Sequence, residues 1–349
     1  MAPGLELAAL RPIGVITNPR ARKNVGRAER PERLASLLGA AGVVHATRSL
    51  EELAPAVEDL VERGARCWVV DGGDGSLHWV LNAVVDRYGL GELSRRVPLA
   101  VPANGGTIDF VARHAGVRGT AEGLVGRLVR AGVGPVAQVP TLVARGERER
   151  PDGGREPFLR VGFAAAVAGI GNGFFEHYDR SGRGRPAIVL GVAKAAGALL
   201  LDLGPWRRLA PRRWLDYGRV AMGRVPARVT VDGEALPYAT PTALHVGAVP
   251  IDLGGLVKVF GHAGPGRLHA NAGELGVLGM IANLPRLATG RALRAAGLWD
   301  GPVARVRVEA TGPAPLRPVI DGERFEGLRW LELEPGPAIA VPRLDGRRS

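Results

Sequence analysis

The chain has 349 residues, 46% of them apolar and 23% charged, with a formal net charge of +12. That length and apolar content suit two domains with real cores and exclude wholesale disorder, and the lone cysteine, Cys67, excludes an intramolecular disulfide framework or a thiolate metal cluster. The basic excess is almost entirely arginine, since Lys23, Lys194 and Lys258 are the only lysines. It favours partners that carry phosphate, whether nucleotides, anionic lipid surfaces or nucleic acid, without choosing among them. Residues 1–12 show no charged segment leading into an apolar run of signal-peptide length, so a reducing, cytoplasmic location is expected rather than secretion.

From residue 13 to about 134, short apolar runs alternate with helical periodicity, which signals βα units on a parallel sheet. Strands are expected at 13–17, 43–46, 67–70 and 98–101. Leu34, Leu37, Leu38 and Ala41, then Leu77, Val80, Leu81, Val84 and Val85, recur at helical spacing and mark crossover helices. Beyond residue 134 the texture becomes β-like, with runs at 136–144, 158–163, 227–231, 243–249, 256–260 and 303–308, and predicts a mostly antiparallel second domain. Residues 145–156, dense in charge, Gly and Pro, read as a polar loop. Two helices interrupt the strands, at 187–203 and at 284–296, the latter opened by Pro285 in its first turn. The first is short for a bilayer span and carries Lys194 and Asp202, as a helix of a soluble protein does. The domains expected are 1–134, α/β; 135–318, β-rich; and 319–349, a returning C-terminal segment.

The sharpest motif is Asp71-Gly72-Gly73-Asp74-Gly75-Ser76, directly after a strand and before a helix. Glycines admit a ligand close to the backbone, and a helix N-terminus offers unpaired N–H groups and partial positive charge, together a phosphate cradle. Asp74 would repel a phosphate unless it holds Mg²⁺ or accepts a proton from an attacking hydroxyl; otherwise Asp74 or Ser76 caps the helix. The loop fits neither the Walker pattern nor the dinucleotide-binding G-x-G-x-x-G. Residues 167–173 have a G-x-G-x-G look without a βαβ context and read as a turn. The seven histidines show no zinc spacing, and no G-x-S-x-G elbow is present.

Gly72-Gly73-Asp74-Gly75-Ser76 resembles the GGDG[T/S] motif of diacylglycerol kinases, sphingosine kinases and the wider NAD-kinase-like group. Other segments match in order. Asn18-Pro19-Arg20-Ala21-Arg22-Lys23-Asn24 is similar to the family's NPxSG nucleotide loop, with Ala21 and Arg22 replacing its Ser-Gly. Residues 102–113 resemble its P-x-GT-x-N-x-x-A-R segment, with Asp109 where Asn is common. Asp321-Gly322-Glu323, followed by residues 331–333 and 338–342, resembles its DGE segment and closing strands, whereas Asp232-Gly233-Glu234 reads as a plain hairpin.

The resemblance implies an NAD-kinase-like α/β nucleotide-binding domain followed by a β-sandwich whose last strands return toward the first domain. It implies a lipid kinase that moves the γ-phosphate of ATP, with Mg²⁺, to a lipid hydroxyl. Asp74 and Glu323 are the catalytic candidates, Glu323 in the place of the family's general base. Asn18, Lys23, Thr47, Gly72, Gly73, Gly75, Ser76, Gly106 and Thr107 are the nucleotide candidates. No carboxylate stands at residues 263–268, where bacterial relatives bind a structural Mg²⁺. Trp206-Arg207-Arg208 and Arg212-Arg213-Trp214 suit either a lipid headgroup interface or a solvated loop with its tryptophans turned inward. The expected partner is a lipid at the inner membrane face, bound peripherally, with a homodimer also in view and no nucleic acid. A soluble acceptor, as in NAD kinases, and a catalytically silent lipid- or nucleotide-binding regulator are the competing readings.

Overall fold

Continuous apolar runs demand burial on both faces, and β1 (Ile13–Thr17) and β3 (Cys67–Asp71) are buried at every position. The computed structural model describes residues 7–106, 108–170, 172–173, 185–203, 205–253 and 257–344. It divides into two units, Met1–Thr141 with Pro337–Ser349, and Leu142–Gly336. The first unit therefore runs to Thr141, and residues 319–336 cluster with the second unit rather than with the C-terminal segment.

In the first unit β1 and β3 are joined by β2 (Gly42–Ala46) and β4 (Ala100–Pro102) in a parallel sheet of order β2-β1-β3-β4. After the short α1 (Leu7–Leu10), the helices are α2 (Arg30–Leu38), α3 (Leu50–Glu62), α4 (Asp74–Tyr88), α5 (Leu93–Arg96), α6 (Phe110–His114) and α7 (Ala121–Ala131). The expected α/β pattern holds to within two residues at each strand. α3 begins at an Ser49 cap that accepts from Glu52 N, and α7 at a Thr120 cap that accepts from Gly123 N. The chain passes from β1 to β2 on one side and to β3 on the other, so strand order reverses at β1 and opens a crevice beyond the carboxyl ends of β1 and β3. β5 (Val136–Val139) pairs antiparallel with β20 (Ile339–Pro342) to complete this unit.

The second unit holds two six-stranded antiparallel sheets, in keeping with the antiparallel texture of its sequence and with the β-rich second domain that the family resemblance implied. One sheet contains β6 (Leu142–Glu149), β7 (Arg155–Gly162), β9 (Ala227–Val231), β10 (Glu234–Ala235), β16 (Val306–Ala310) and β19 (Leu328–Pro335). The other contains β8 (Ala164–Gly169), β11 (Ala243–Gly247), β14 (Leu268–Gly273), β15 (Leu298–Val303), β17 (Val319–Ile320) and β18 (Glu323–Arg324). Buried Phe163 links β7 to β8, carrying the chain from one sheet to the other. A small hairpin, β12 (Ile251–Leu253) with β13 (Val257–Val259), and helices α8 (Arg185–Leu203), α9 (Arg212–Met222) and α10 (Val277–Thr289) complete it.

Three expectations are corrected. Residues 145–156 are not a loop but the arms of the β6–β7 hairpin, with a turn only near residues 150–154. β7 is an edge strand, and its charges face water and pair across strands, Arg155 with Glu147 at 3.0 Å and Arg148 with Glu156 at 3.7 Å. The later helix is shifted seven residues toward the N-terminus, to 277–289: Gly276 is its N-cap, Gly290 at φ 70° ends it, and Pro285 sits inside rather than in its first turn. The run 303–308 is two strands, broken between Val303 and Val306. The turn expected at 167–173 includes Gly171, which lies outside the described residues, as does Leu256 of the run at 256–260.

Candidate functional site

The carboxyl ends of β1, β3 and β4 are held by a buried polar cluster. Asp71 closes β3 with no solvent exposure and accepts from Thr17 Oγ1 at 2.7 Å. Arg30 of α2 grips it through two bonds, Nε to Oδ2 at 2.7 Å and Nη2 to Oδ1 at 3.0 Å, and its Nη1 reaches Glu122 of α7 at 2.6 Å. Burial works against the guanidinium charge, but Asp71 and Glu122 outweigh it and hold the pKa of Arg30 above its ordinary value. Asn24 adds side-chain bonds to the carbonyls of Asn18 at 2.9 Å and Asp71 at 3.1 Å. The loop after β1 is thereby tied to the end of β3.

The glycines of the second loop press against those of the third. A Cβ on Gly73 would lie 2.7 Å from Gly106 Cα, and one on Gly105 would lie 2.6 Å from Gly72 O. Gly105 N donates to Gly72 O at 2.9 Å. Backbone meets backbone here, so Gly73, Gly105 and Gly106 are required by loop-on-loop packing before any ligand is considered, while a Cβ on Gly72 would collide with the Ser76 side chain of its own loop.

Asp74 opens α4, and its carboxylate crosses to the third loop. Oδ2 accepts from Phe110 N at 3.1 Å and Oδ1 from Val111 N at 3.2 Å. It thus caps α6, whose own N-cap residue, Asp109, makes no cap bond. Asp109 instead stands in the left-handed region, φ 52°, where Asp and Asn are tolerated. One of its oxygens accepts from Gly106 N at 2.7 Å, and the other meets Lys23 Nζ at 3.0 Å. Lys23 Nζ also donates to Asn104 O at 2.7 Å. Asn18 Nδ2 reaches Ser76 Oγ at 3.1 Å, and Thr47, buried after β2, donates its N–H to Thr17 O at 2.9 Å. Asn18, Lys23, Gly72, Gly73, Gly75, Ser76 and Gly106 therefore gather at one end of the sheet, with Thr47 one strand away. Thr107 lies outside the described residues.

Glu323 belongs to the second unit, at the start of β18. Asp321 at φ 53° and Gly322 at φ 91° form a hairpin turn of the primed kind, and Asp232 at φ 49° with Gly233 at φ 93° form another. In both, the aspartate carboxylate pins the turn to a neighbouring backbone: Asp321 accepts from Phe163 N and Ala164 N, each at 2.9 Å, and Asp232 from Ala304 N at 2.8 Å and Arg305 N at 2.7 Å. The Asp–Gly–Glu turns thus share one geometry. Half-buried Glu323 has no hydrogen bond or ion pair on its carboxylate among the described residues.

The first turn of a helix leaves amides without intrahelical acceptors, and Gly73 at the N-cap of α4 supplies no side chain to meet them. Those amides, beside the ammonium of Lys23, suit the phosphates of a nucleotide. A divalent ion has less to hold it. Asp71 is taken by Arg30 and Thr17, Asp74 by α6, and Asp109 by Lys23 and Gly106; among the described residues no group of three His, Cys, Asp or Glu could ligate a metal. Sequence reasoning did not single out Arg30, Asp71 or Asn24 as scaffold, and Arg30 has no local signal in an arginine-rich stretch. Cys67 is buried and its thiol is pushed up to about 12, which removes it as a nucleophile.

Residues 12–139 match the family model described as the diacylglycerol kinase catalytic domain, so the family resemblance is shown over that segment. No curated protein matches the chain in sequence. Among solved structures, one described as "A putative diacylglycerol kinase from Bacillus anthracis str. Sterne" aligns with a TM-score of 0.59 at 16% identity, covering 94% of this chain and 96% of its own. A structure described as one of the diacylglycerol kinases of the same organism aligns at 0.55 and 13% identity, covering 94% and 95%. At such identities the likeness is one of fold, and it extends over both units.

Proposed function

We propose that the chain is an ATP-dependent lipid kinase that phosphorylates a hydroxyl of a diacylglycerol, sphingoid base or related lipid. The observation that carries this reading is the uncapped N-terminus of α4, set at the strand-order reversal and braced by interlocked glycine pairs, within a segment that matches a diacylglycerol kinase catalytic domain. Bound Mg·ATP supplies the phosphoryl group. The amides of Gly75 and Ser76, with Gly72, Gly73 and Gly106 around them, hold its phosphates, Asn18, Lys23 and Thr47 serve the same nucleotide, and the Thr107 hydroxyl is a further candidate phosphate contact by the family resemblance alone. Mg²⁺ arrives on the nucleotide phosphates, because the carboxylates beside the loop are already engaged.

Asp74 is then a positioning residue: its two bonds to α6 fix the spacing of the second and third loops. Glu323, with an unengaged carboxylate, takes the proton of the acceptor hydroxyl as its oxygen bonds to the γ-phosphorus and ADP departs. Catalysis is chiefly positioning and charge stabilisation. The protein acts peripherally, at the cytoplasmic membrane face. The test is phosphate transfer from Mg·ATP to diacylglycerol, sphingoid bases, ceramide, phosphatidylglycerol and a total lipid extract, with NAD as a soluble control. A labelled lipid that disappears with Glu323→Gln supports the reading; label on NAD alone overturns the acceptor, and nucleotide binding without transfer to anything overturns the kinase.

A further inference from the structure

Aspartate is a favoured N-cap, yet Asp109, at the N-cap position of α6, makes no cap bond, because Asp74 meets the α6 amides instead. At φ 52° and ψ 45° it keeps a left-handed backbone and gives its carboxylate to other partners. Oδ1 accepts from Gly106 N at 2.7 Å, which orients the carboxylate, and Oδ2 meets Lys23 Nζ at 3.0 Å. The Asp109 side chain is 3% exposed, and Lys23 is its one cationic partner among the described residues. Oδ1 also lies 3.8 Å from where a Cβ on Gly73 would stand, so the pair sits beside the N-cap of α4.

Lys23 is anchored to the third loop at both ends. Its backbone N–H donates to Gly105 O at 3.2 Å, and its Nζ donates to Asn104 O at 2.7 Å as well as to Asp109. An ammonium carries three donors. Two are spent on the third loop and the side chain is 50% exposed, so one N–H is left for a ligand. A lysine on its flexible four-carbon stem otherwise sweeps a wide volume; this one is confined.

We infer that Asp109 is a positioning residue for the nucleotide: it holds the Lys23 ammonium where the remaining N–H meets a phosphate oxygen. The ammonium stays on Asp109 when the phosphate arrives, because its departure would leave a buried carboxylate unpaired next to an incoming anion. One cation thus serves two anions, one resident and one bound. An asparagine at 109 would keep the Gly106 bond through its oxygen but turn its amide N–H groups toward Lys23, and so release the lysine. The inference rests on the proposed function for the identity of the ligand, a nucleotide carrying at least two phosphates.

The test is calorimetric titration of the full chain with ADP, ATP and adenosine, in a cycle of Lys23→Met, Asp109→Asn and the double variant. Asp109→Asn is expected to weaken ADP and ATP about tenfold and to leave adenosine unchanged. Lys23→Met strands the carboxylate beside the phosphates and weakens ADP and ATP about a hundredfold. Removing that carboxylate as well restores part of the loss, so the double variant binds ADP about tenfold more tightly than Lys23→Met alone. A merely structural role for Asp109 would weaken adenosine in step and add its loss to that of Lys23→Met. Unchanged or tighter ADP binding by Asp109→Asn, or a double variant no better than Lys23→Met, would each overturn the inference while the kinase reading stands. The expected cycle without phosphate transfer to any acceptor upholds the role of Asp109 and counts against the kinase; a wild-type chain that binds neither ADP nor ATP overturns both.

Discussion

Asp74 offers the most discriminating perturbation, because a residue that holds two loops together and one that performs chemistry fail differently. Its carboxylate accepts from Phe110 N and Val111 N at 3.1 and 3.2 Å, at the start of a helix that lacks a cap of its own. Loss of an N-cap costs about 1 kcal/mol, and loss of the favourable charge at a helix N-terminus adds about 0.5 to 1 kcal/mol. Two long, partly buried bonds therefore put Asp74→Ala at about 2 kcal/mol. Asp74→Asn keeps one acceptor oxygen but turns an amide N–H toward the other donor, so it loses about 1 to 1.5 kcal/mol. Urea denaturation followed by the fluorescence of Trp68 and Trp79, both in the first unit, reads these losses, and titration with ATP reads the loop spacing. The expected result is a stability loss in both variants with a parallel, roughly tenfold drop in nucleotide affinity. If Asp74→Asn kept wild-type stability and nucleotide affinity while phosphoryl transfer fell a thousandfold or more, Asp74 would be acting on the reacting atoms and the scaffold argument would be wrong.

Four further outcomes follow from the geometry. Gly106→Ala places a methyl 2.7 Å from Gly73 Cα and 2.8 Å from Asp109 Oδ1, so it destabilises by about 1 to 3 kcal/mol and weakens ATP binding; a fully tolerated substitution in calorimetry would show that the loops do not interlock. Arg30→Met strands the buried Asp71 carboxylate and costs about 3 to 5 kcal/mol in urea titrations, far more than removal of a surface arginine such as Arg33. His245, on β11, is pulled down to about 4 by burial. The unfolded chain binds its proton first, near pH 6.5, so this contribution to stability is whole above that pH and is lost as pH falls toward 4. Because the residue keeps partial solvent contact, about 2 kcal/mol is expected rather than the full shift, and His245→Asn should flatten the stability profile there. Cys67, buried with its thiol pushed up to about 12, should resist alkylation in the native protein and react fully in denaturant; rapid native labelling would contradict its burial.

The first unit was legible because its signals are local. Ile13–Thr17 and Cys67–Asp71 are apolar without interruption, as strands buried on both faces must be, and the glycine loops fall directly at strand ends. The purpose of those glycines was not legible. Their neighbours across the loops are set by the adjacency of β3 and β4, which spacing along the chain does not reveal. The same is true of Asp74, whose partners lie 36 and 37 residues away. Arg30 was hidden among many arginines, and only its two-bond grip on Asp71 sets it apart. In the second unit charge density misled: Glu147, Arg148 and Arg155 belong to strand positions whose ion pairs lie across the hairpin, and Arg145 pairs with Glu334 of the neighbouring β19. The helix at Val277–Thr289 was misplaced because Pro285 was read as a start, while Gly290, in the left-handed region, sets its end. At Glu323 the sequence carried the resemblance but no geometry, since Asp232-Gly233-Glu234 builds the same turn.

The pairing of β5 with β20 makes the second unit an insertion within the first. The chain leaves at Thr141 and re-enters at Pro337, and Thr141 Oγ1 donates to Pro337 O at 2.7 Å, so exit and return are one hydrogen bond apart. During synthesis the residues up to 139 therefore wait, with an open strand edge, until residue 342 has emerged, although the rest of their sheet is local in sequence. The same closeness makes the inserted unit excisable: a link of a few residues from 141 to 337 would keep β5 and β20 in register, and would show whether the nucleotide loops hold their form without everything that lies between.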